Sequence, residues 1–172
     1  MIQIAAHRLT NHRLTLAIDY GQFTVTGSIR DTDTLELLAQ AEAKPPSSGN
    51  CGTVLILSPH QNNFETAVDV EIWDARPPTD RDLWQQVSED RMDVDKRGLI
   101  TLVSPTLNSV DFAIPAGHYV LEASGRGFVN YGWPGSTKPG DVWRLRLWPL
   151  DGLGPPEPKR WEMPGYGTPP AR

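Results

Sequence analysis

The chain has 172 residues, 38% of them hydrophobic and 22% charged, with a net charge of −5. Those values describe an ordinary globular domain with a real core; they argue against non-specific binding of DNA, RNA or anionic lipid, and no apolar run approaches the roughly 18 residues that cross a membrane. The single cysteine, Cys51, excludes an intramolecular disulfide framework, and with a start that lacks the apolar core of a signal peptide it makes the reducing cytoplasm the expected compartment.

Leu14, Leu16, Ile18 and Tyr20 sit two apart and predict a half-buried strand. After Gly21 the apolar parity flips to Phe23 and Val25, so Gly21 is expected at a β-bulge or a bend between sheets. Asp33 followed by Glu36 reads as a helix start, and Leu35, Leu38 and Ala39 form a short helical stripe. Pro45 to Asn50 ends that helix in an exposed loop. Thr53 to Leu57 is continuously apolar and β-branched, a strand covered on both faces.

Thr66 to Asp74 alternates again, Val68, Val70 and Ile72 facing in and Asp69, Glu71 and Trp73 facing out. One or two helical turns are expected around Leu83 and Trp84. Met92 and Val94, then Leu99, Thr101 and Val103, flank Asp95 to Gly98 as a hairpin. Val110, Phe112 and Ile114 alternate up to the turn Pro115-Ala-Gly117, after which Tyr119, Leu121 and Ala123 resume, describing a second antiparallel hairpin. Val142 to Trp148 is the last strand, with Trp143, Leu145 and Leu147 on one face and Arg144, Arg146 and Trp148 on the other. The expected fold is all-β, an antiparallel β-sandwich over residues 1–149 with one short helix insertion, followed by a loosely attached Pro/Gly-rich tail over residues 150–172.

Enzyme chemistry finds little support in the residues. His7, His12, His60 and His118 fall on different elements without a second ligand at metal-binding spacing, so no metal and no cofactor are expected. Cys51 has no local base to activate it, Gly125-Arg-Gly127 precedes no helix, and no GxSxG is present.

Charge distribution says more. From Asn63 to Asp95 ten acids stand against three arginines, a local balance of −7. A solvated strand face would account for that run; so would an acidic surface shaped for a basic protein partner. On the second reading the contact residues are Asp69, Glu71, Trp73, Asp74, Trp84, Glu89, Asp90, Asp93 and Asp95, the tryptophans acting as anchors. A different class of function, a small-molecule or carbohydrate-binding sandwich, would use Phe128, Tyr131 and Trp133 as its contact loop. A structural or interaction module without a target is a third reading.

Two stretches, LTLAIDYGQFTV (Leu14 to Val25) and DFAIPAGHYVLEASG (Asp111 to Gly125), with AVDVEIW (Ala67 to Trp73) between them, resemble the competence protein J family. There a strand ending in Tyr-x-Gln-Phe-x-Val opens the domain and a Phe-x-apolar-Pro-x-Gly-x-Tyr segment comes late. The resemblance implies a small β-rich cytoplasmic protein that binds and inhibits a nuclease, or an immunity protein that neutralises a nuclease toxin. It leaves the helix over Asp31 to Ala43, the Phe128 to Trp133 loop and the Pro-rich tail without counterparts. A nuclease cleft is basic because it holds phosphates, so an acidic, tryptophan-bearing sheet suits it as a plug.

Overall fold

A computed structural model of the chain describes residues 5–59, 65–128, 141–150 and 156–161. Two sheets pack face to face. The first contains β1 (Arg8–Ala17), β5 (Glu65–Trp73), β10 (Val142–Pro149), β9 (Gly117–Arg126), β6 (Gln86–Val94) and the two-residue β11 (Arg160–Trp161), in that spatial order. The second contains β3 (Ser47–Gly49), β4 (Thr53–Leu57), β2 (Gln22–Thr26), β7 (Leu99–Val103) and β8 (Ser109–Ala113), and the helix α1 (Thr34–Ala43) lies over its β3–β4 edge. Neighbouring strands are antiparallel except β5 and β10, which run parallel. The result is an all-β sandwich with a single α-helix among the described residues.

The alternation read from the sequence places most core residues. Leu16, Val68, Val70, Ile72, Trp143, Leu145, Leu147, Leu121 and Ala123 of the first sheet meet Phe23, Val25, Val54, Ile56, Ile100, Leu102 and Phe112 of the second. Trp143 and Phe23 meet edge to face, with centroids 5.2 Å apart across the layer. Gly21, at φ 63°, turns the chain out of the first sheet into the second, so the parity flip marks a bend between sheets. Tyr20 shares that turn at φ 50° and is exposed, not part of the inward row.

Both expected hairpins open into crossovers. β6 pairs with β9 and β7 with β2 and β8, so the Asp95 to Gly98 turn carries the chain between sheets. Likewise β8 pairs with β7 while β9 pairs with β6 and β10, which makes Pro115 to Gly117 a second crossing, closed by the Tyr119 hydroxyl donating to the Pro115 carbonyl at 2.7 Å. Alternation reports which face is buried and is silent on which strand lies alongside. In β7 the buried residues are Ile100 and Leu102, opposite in phase to Leu99, Thr101 and Val103.

Three further segments differ from expectation. Asp33 caps α1 through Oδ1, which accepts the Leu35 and Glu36 amides, but the helix buries Leu37 and Ala41 rather than the stripe of Leu35, Leu38 and Ala39. Ser47 and Ser48, placed in an exposed loop, are buried in β3. Around Leu83 and Trp84 the helical content is one 3-10 turn, Arg81–Leu83.

Candidate partner-binding surface

The outer face of the first sheet is where the sequence puts an acidic surface. Asp69, Glu71 and Trp73 do point outward from β5. Each acid, however, meets a cation delivered from elsewhere in the chain. Arg13 of β1 reaches Asp69 at 3.0 Å, Arg8 reaches Glu71 at 3.4 Å, and the Trp73 indole donates to Glu71 at 2.9 Å. Asp74 accepts the His7 backbone amide at 2.7 Å, and that bond holds its carboxyl below the ordinary carboxylate range.

Beyond Asp74 the chain folds back over this face. Asp80 receives both Arg144 nitrogens, at 2.6 and 2.8 Å, and Arg146 at 3.2 Å; the Arg144 bond keeps Asp80 ionised below its usual range. Trp84 is buried between two guanidinium groups, Arg126 at 4.6 Å and Arg144 at 4.4 Å from its ring centre. Glu89 is buried beneath Arg76, at 2.9 and 3.1 Å, and Arg81, at 3.5 Å. Its neighbour across the ladder, Glu122, is buried against Arg146.

Residues 156–161, read from the sequence as part of the loosely attached tail, complete this cover. The Glu157 amide donates to Glu89 at 2.8 Å and its carboxylate lies 3.6 Å from Arg76 and 3.4 Å from Arg81. Arg81 donates to the Pro158 carbonyl, Lys159 to the Ser47 carbonyl, and Arg160 pairs with Asp82 at 3.0 Å. Such polar contacts have no apolar period, so a reading built on hydrophobic spacing passes over them.

The last acids of the run point in different directions. Asp90 faces the interlayer space, accepts the Ser47 hydroxyl at 2.6 Å, and is pushed up by burial. Asp93 takes Arg30 at 2.5 Å and contacts His118 at 2.7 Å. Asp95 is bound by Arg97, which pulls its carboxyl down to about 2, and accepts the Ile29 amide at 3.1 Å. The −7 balance is therefore largely compensated in space. Arg76 and Arg81 lie within the run and Arg97 just beyond it, whereas Arg8 and Arg13 of β1, Arg30, Arg144 and Arg146 of β10 and Arg160 come from far along the chain, where a local count does not register them. The visible signal was the pair Arg144 and Arg146 on the outward side of a strand, since arginines in such a row need carboxylates opposite them.

Phe128 is 4% exposed and packs on Trp143 at 5.5 Å, so it belongs to the core and offers no ligand contact; Tyr131 and Trp133, like His60, lie outside the described residues. Among the described residues no group of three His, Cys, Asp or Glu side chains could hold a metal ion, and no helix is long and apolar enough to cross a membrane.

Charge without compensation is found on the opposite side of the sandwich. Asp31, Asp33, Glu36 and Glu42, on and before α1, have no ion-pair partner among the described residues. Beside them Leu35 is 76% exposed and Tyr20 65% exposed. The sequence reading named neither group as a site.

Two solved structures share the architecture just described. The crystal structure of ComJ, inhibitor of the DNA degrading activity of NucA, from Bacillus subtilis, matches with a TM-score of 0.59 over 86% of this chain and 100% of that one. The chain has the fold of ComJ. Sequence identity to ComJ is 14%, and the likeness is therefore one of fold. A second match, to the protein of crocagin biosynthetic gene J, has a TM-score of 0.54 and 12% identity over 86% of this chain and 99% of that one. No protein-family model and no curated protein matches the chain.

Proposed function

We propose that the chain is a non-catalytic binding protein that neutralises a nuclease, or a related toxin with a basic active cleft, by protein–protein contact. The observation that carries this reading is the ComJ likeness: one fold spans all of a nuclease inhibitor and 86% of this chain. The residues that make up the ComJ-like stretches are also accounted for as scaffold. Phe23, Val25, Phe112, Ile114, Tyr119 and Leu121 are core, and the polar groups on the first sheet close on one another as ion pairs. A net charge of −5 suits a partner whose cleft is built for phosphates.

Of the residues expected at the contact, Asp69, Glu71, Trp73, Asp74, Asp93 and Asp95 keep solvent-facing atoms and stay candidates. Trp84, Glu89 and Asp90 are committed to internal contacts and act through the fold. The test is a DNA-digestion assay with the purified nuclease-like product of the adjacent gene. Near-stoichiometric protection of the DNA is the expected result. Undiminished digestion in the presence of excess folded protein would overturn the proposal.

A further inference from the structure

The helix α1 carries apolar side chains that its docking leaves wholly or partly uncovered. Its contacts with the sheet run through Leu37 and Ala41, which pack on Leu55 of β4, with Leu38 half-buried at the edge of the same cluster. Leu35 and Leu38, three residues apart, lie on another side and wall a trough of about 320 Å³ whose floor is Gln22 and Thr24 of β2 and whose far wall is Val103 and Pro105. The trough exists because α1 sits over β3 and β4 and leaves the outer side of β2 and β7 uncovered. Its far wall is held in place. Buried Asp19 accepts hydrogen bonds from the hydroxyls of Ser104, at 2.7 Å, and Thr106, so the end of β7 is anchored from within.

On the other flank of α1 a cleft of about 390 Å³ is bordered by Asp31, Asp33 and Glu36. Asp33 is engaged by backbone amides and Glu36 by the Gln40 amide at 3.1 Å; both sets of donors are neutral and leave the negative charge in place. The helix is therefore a ridge with an apolar flank, an acidic flank and Glu42 near its far end. This differs from the first sheet, where Asp69 and Glu71 of β5 and Glu89 and Asp93 of β6 meet guanidinium groups.

Resting on the inhibitor reading above, we propose that α1 and its trough are the surface that seats the protein partner, through a basic amphipathic segment. An apolar side chain of that segment enters between Leu38 and Val103, and lysine or arginine side chains lie over Asp31, Asp33, Glu36 and Glu42. Charge decides the class of occupant. Uncompensated carboxylates repel a phosphate backbone or an anionic lipid surface and attract a cationic peptide. Exposed apolar residues rimmed by unpaired charge have the anatomy of a contact site: an anchor pocket within a polar border.

Two measurements on the full chain test this. The first titrates the protein with an amphipathic Lys/Leu peptide and, separately, a Glu/Leu peptide of equal length, following backbone amide resonances. The Lys/Leu peptide should shift Thr24, Leu35, Leu38 and Val103, with affinity falling as salt rises, and the Leu35→Asp/Glu42→Lys variant should bind at least about ten-fold more weakly with an unchanged circular dichroism spectrum. Equal binding of the Glu/Leu peptide, no Lys/Leu binding, or shifts centred on Asp69 and Trp73 would overturn the assignment. The second measures nuclease protection by the same variant. Protection equal to that of the wild type overturns the docking surface and leaves the inhibitor reading standing. Absent wild-type protection with peptide binding intact removes the inhibitor reading instead.

Discussion

Arg146 and Glu122 face each other across the β10–β9 ladder, with Nε and Nη2 of the guanidinium both 2.7 Å from one carboxylate oxygen, and neither side chain is more than 4% exposed. Burial pushes the Glu122 carboxyl up, and the arginine opposes that push. The pair sits at the centre of a polar layer that covers one face of the sandwich, with Asp80 on one side and Glu89 under Arg76 on the other. Removing Glu122 leaves the buried Arg146 with Asp80 as its remaining carboxylate and takes away its two shortest contacts. Glu122→Ala should cost about 3–5 kcal/mol, read as a lower urea midpoint, and the double variant Glu122→Leu/Arg146→Met should recover most of it. A loss under about 1 kcal/mol for the single change would mean that solvent screens the pair.

The same layer makes a charge-reversal scan of the acidic run uneven. Glu89→Lys would add a third cation beside Arg76 and Arg81 and should destabilise by several kcal/mol, on the order of a broken buried pair. Asp69→Lys removes a surface contact with Arg13 and should change stability by about 1 kcal/mol or less. Thermal melts of the two proteins should therefore separate widely. Coincident melts would show that Glu89 is not held as described.

Phe112 is 4% exposed and packs among core residues of both sheets. Its replacement by alanine should cost about 3–5 kcal/mol by equilibrium unfolding, from lost transfer energy and the cavity left behind. A value below about 1 kcal/mol would place the ring outside the core.

Truncation tests the cover supplied by residues 156–161. A chain ending at Leu150 loses the contacts of Glu157 with Arg76 and Arg81 and of Lys159 with Ser47, and should melt several degrees lower. A chain ending at Trp161 retains them, and we propose that it melts with the full-length protein. Equal melting of all three chains would remove any stabilising role for the segment.

Asp141 makes stability depend on pH in an unusual direction. Burial raises its carboxyl from 3.8 to about 6, so the fold favours the protonated form. Its contribution is fully present below the unfolded value and is lost as pH rises through about 6, a change on the order of 2–3 kcal/mol. Asp95, pulled down to about 2 by Arg97, works in the opposite sense and outside this window, losing its contribution only as pH falls below 3.8. Urea midpoints taken on either side of the window should differ for the wild type and differ less for Asp141→Asn, the raised Asp90 and Glu122 carboxyls supplying the remainder in the same sense. An unchanged pH profile in that variant would assign the dependence to another group.

Face assignment was legible in the residues themselves. Val68, Val70 and Ile72, or Trp143, Leu145 and Leu147, cannot turn outward without exposing a whole apolar row, and this constraint acts within a few residues of chain. Asp33 announced the helix for the same local reason, because its side chain caps amides two and three residues on. Strand partners were a different matter. Asp95 to Gly98 and Pro115 to Gly117 have turn chemistry that serves a hairpin and a crossover equally, and the choice fell to how two complete sheets bury their inner faces together. Charge was decided at the same level. Asp69, Glu71 and Asp80 read as part of a free acidic run until β1 and β10 bring Arg13, Arg8, Arg144 and Arg146 onto their face. The helix face, too, was settled only by docking: Leu37 and Ala41 met Leu55, and Leu35 was left in water. Alternation and capping are properties of neighbouring residues, whereas pairing and charge compensation belong to residues that only the folded chain makes neighbours.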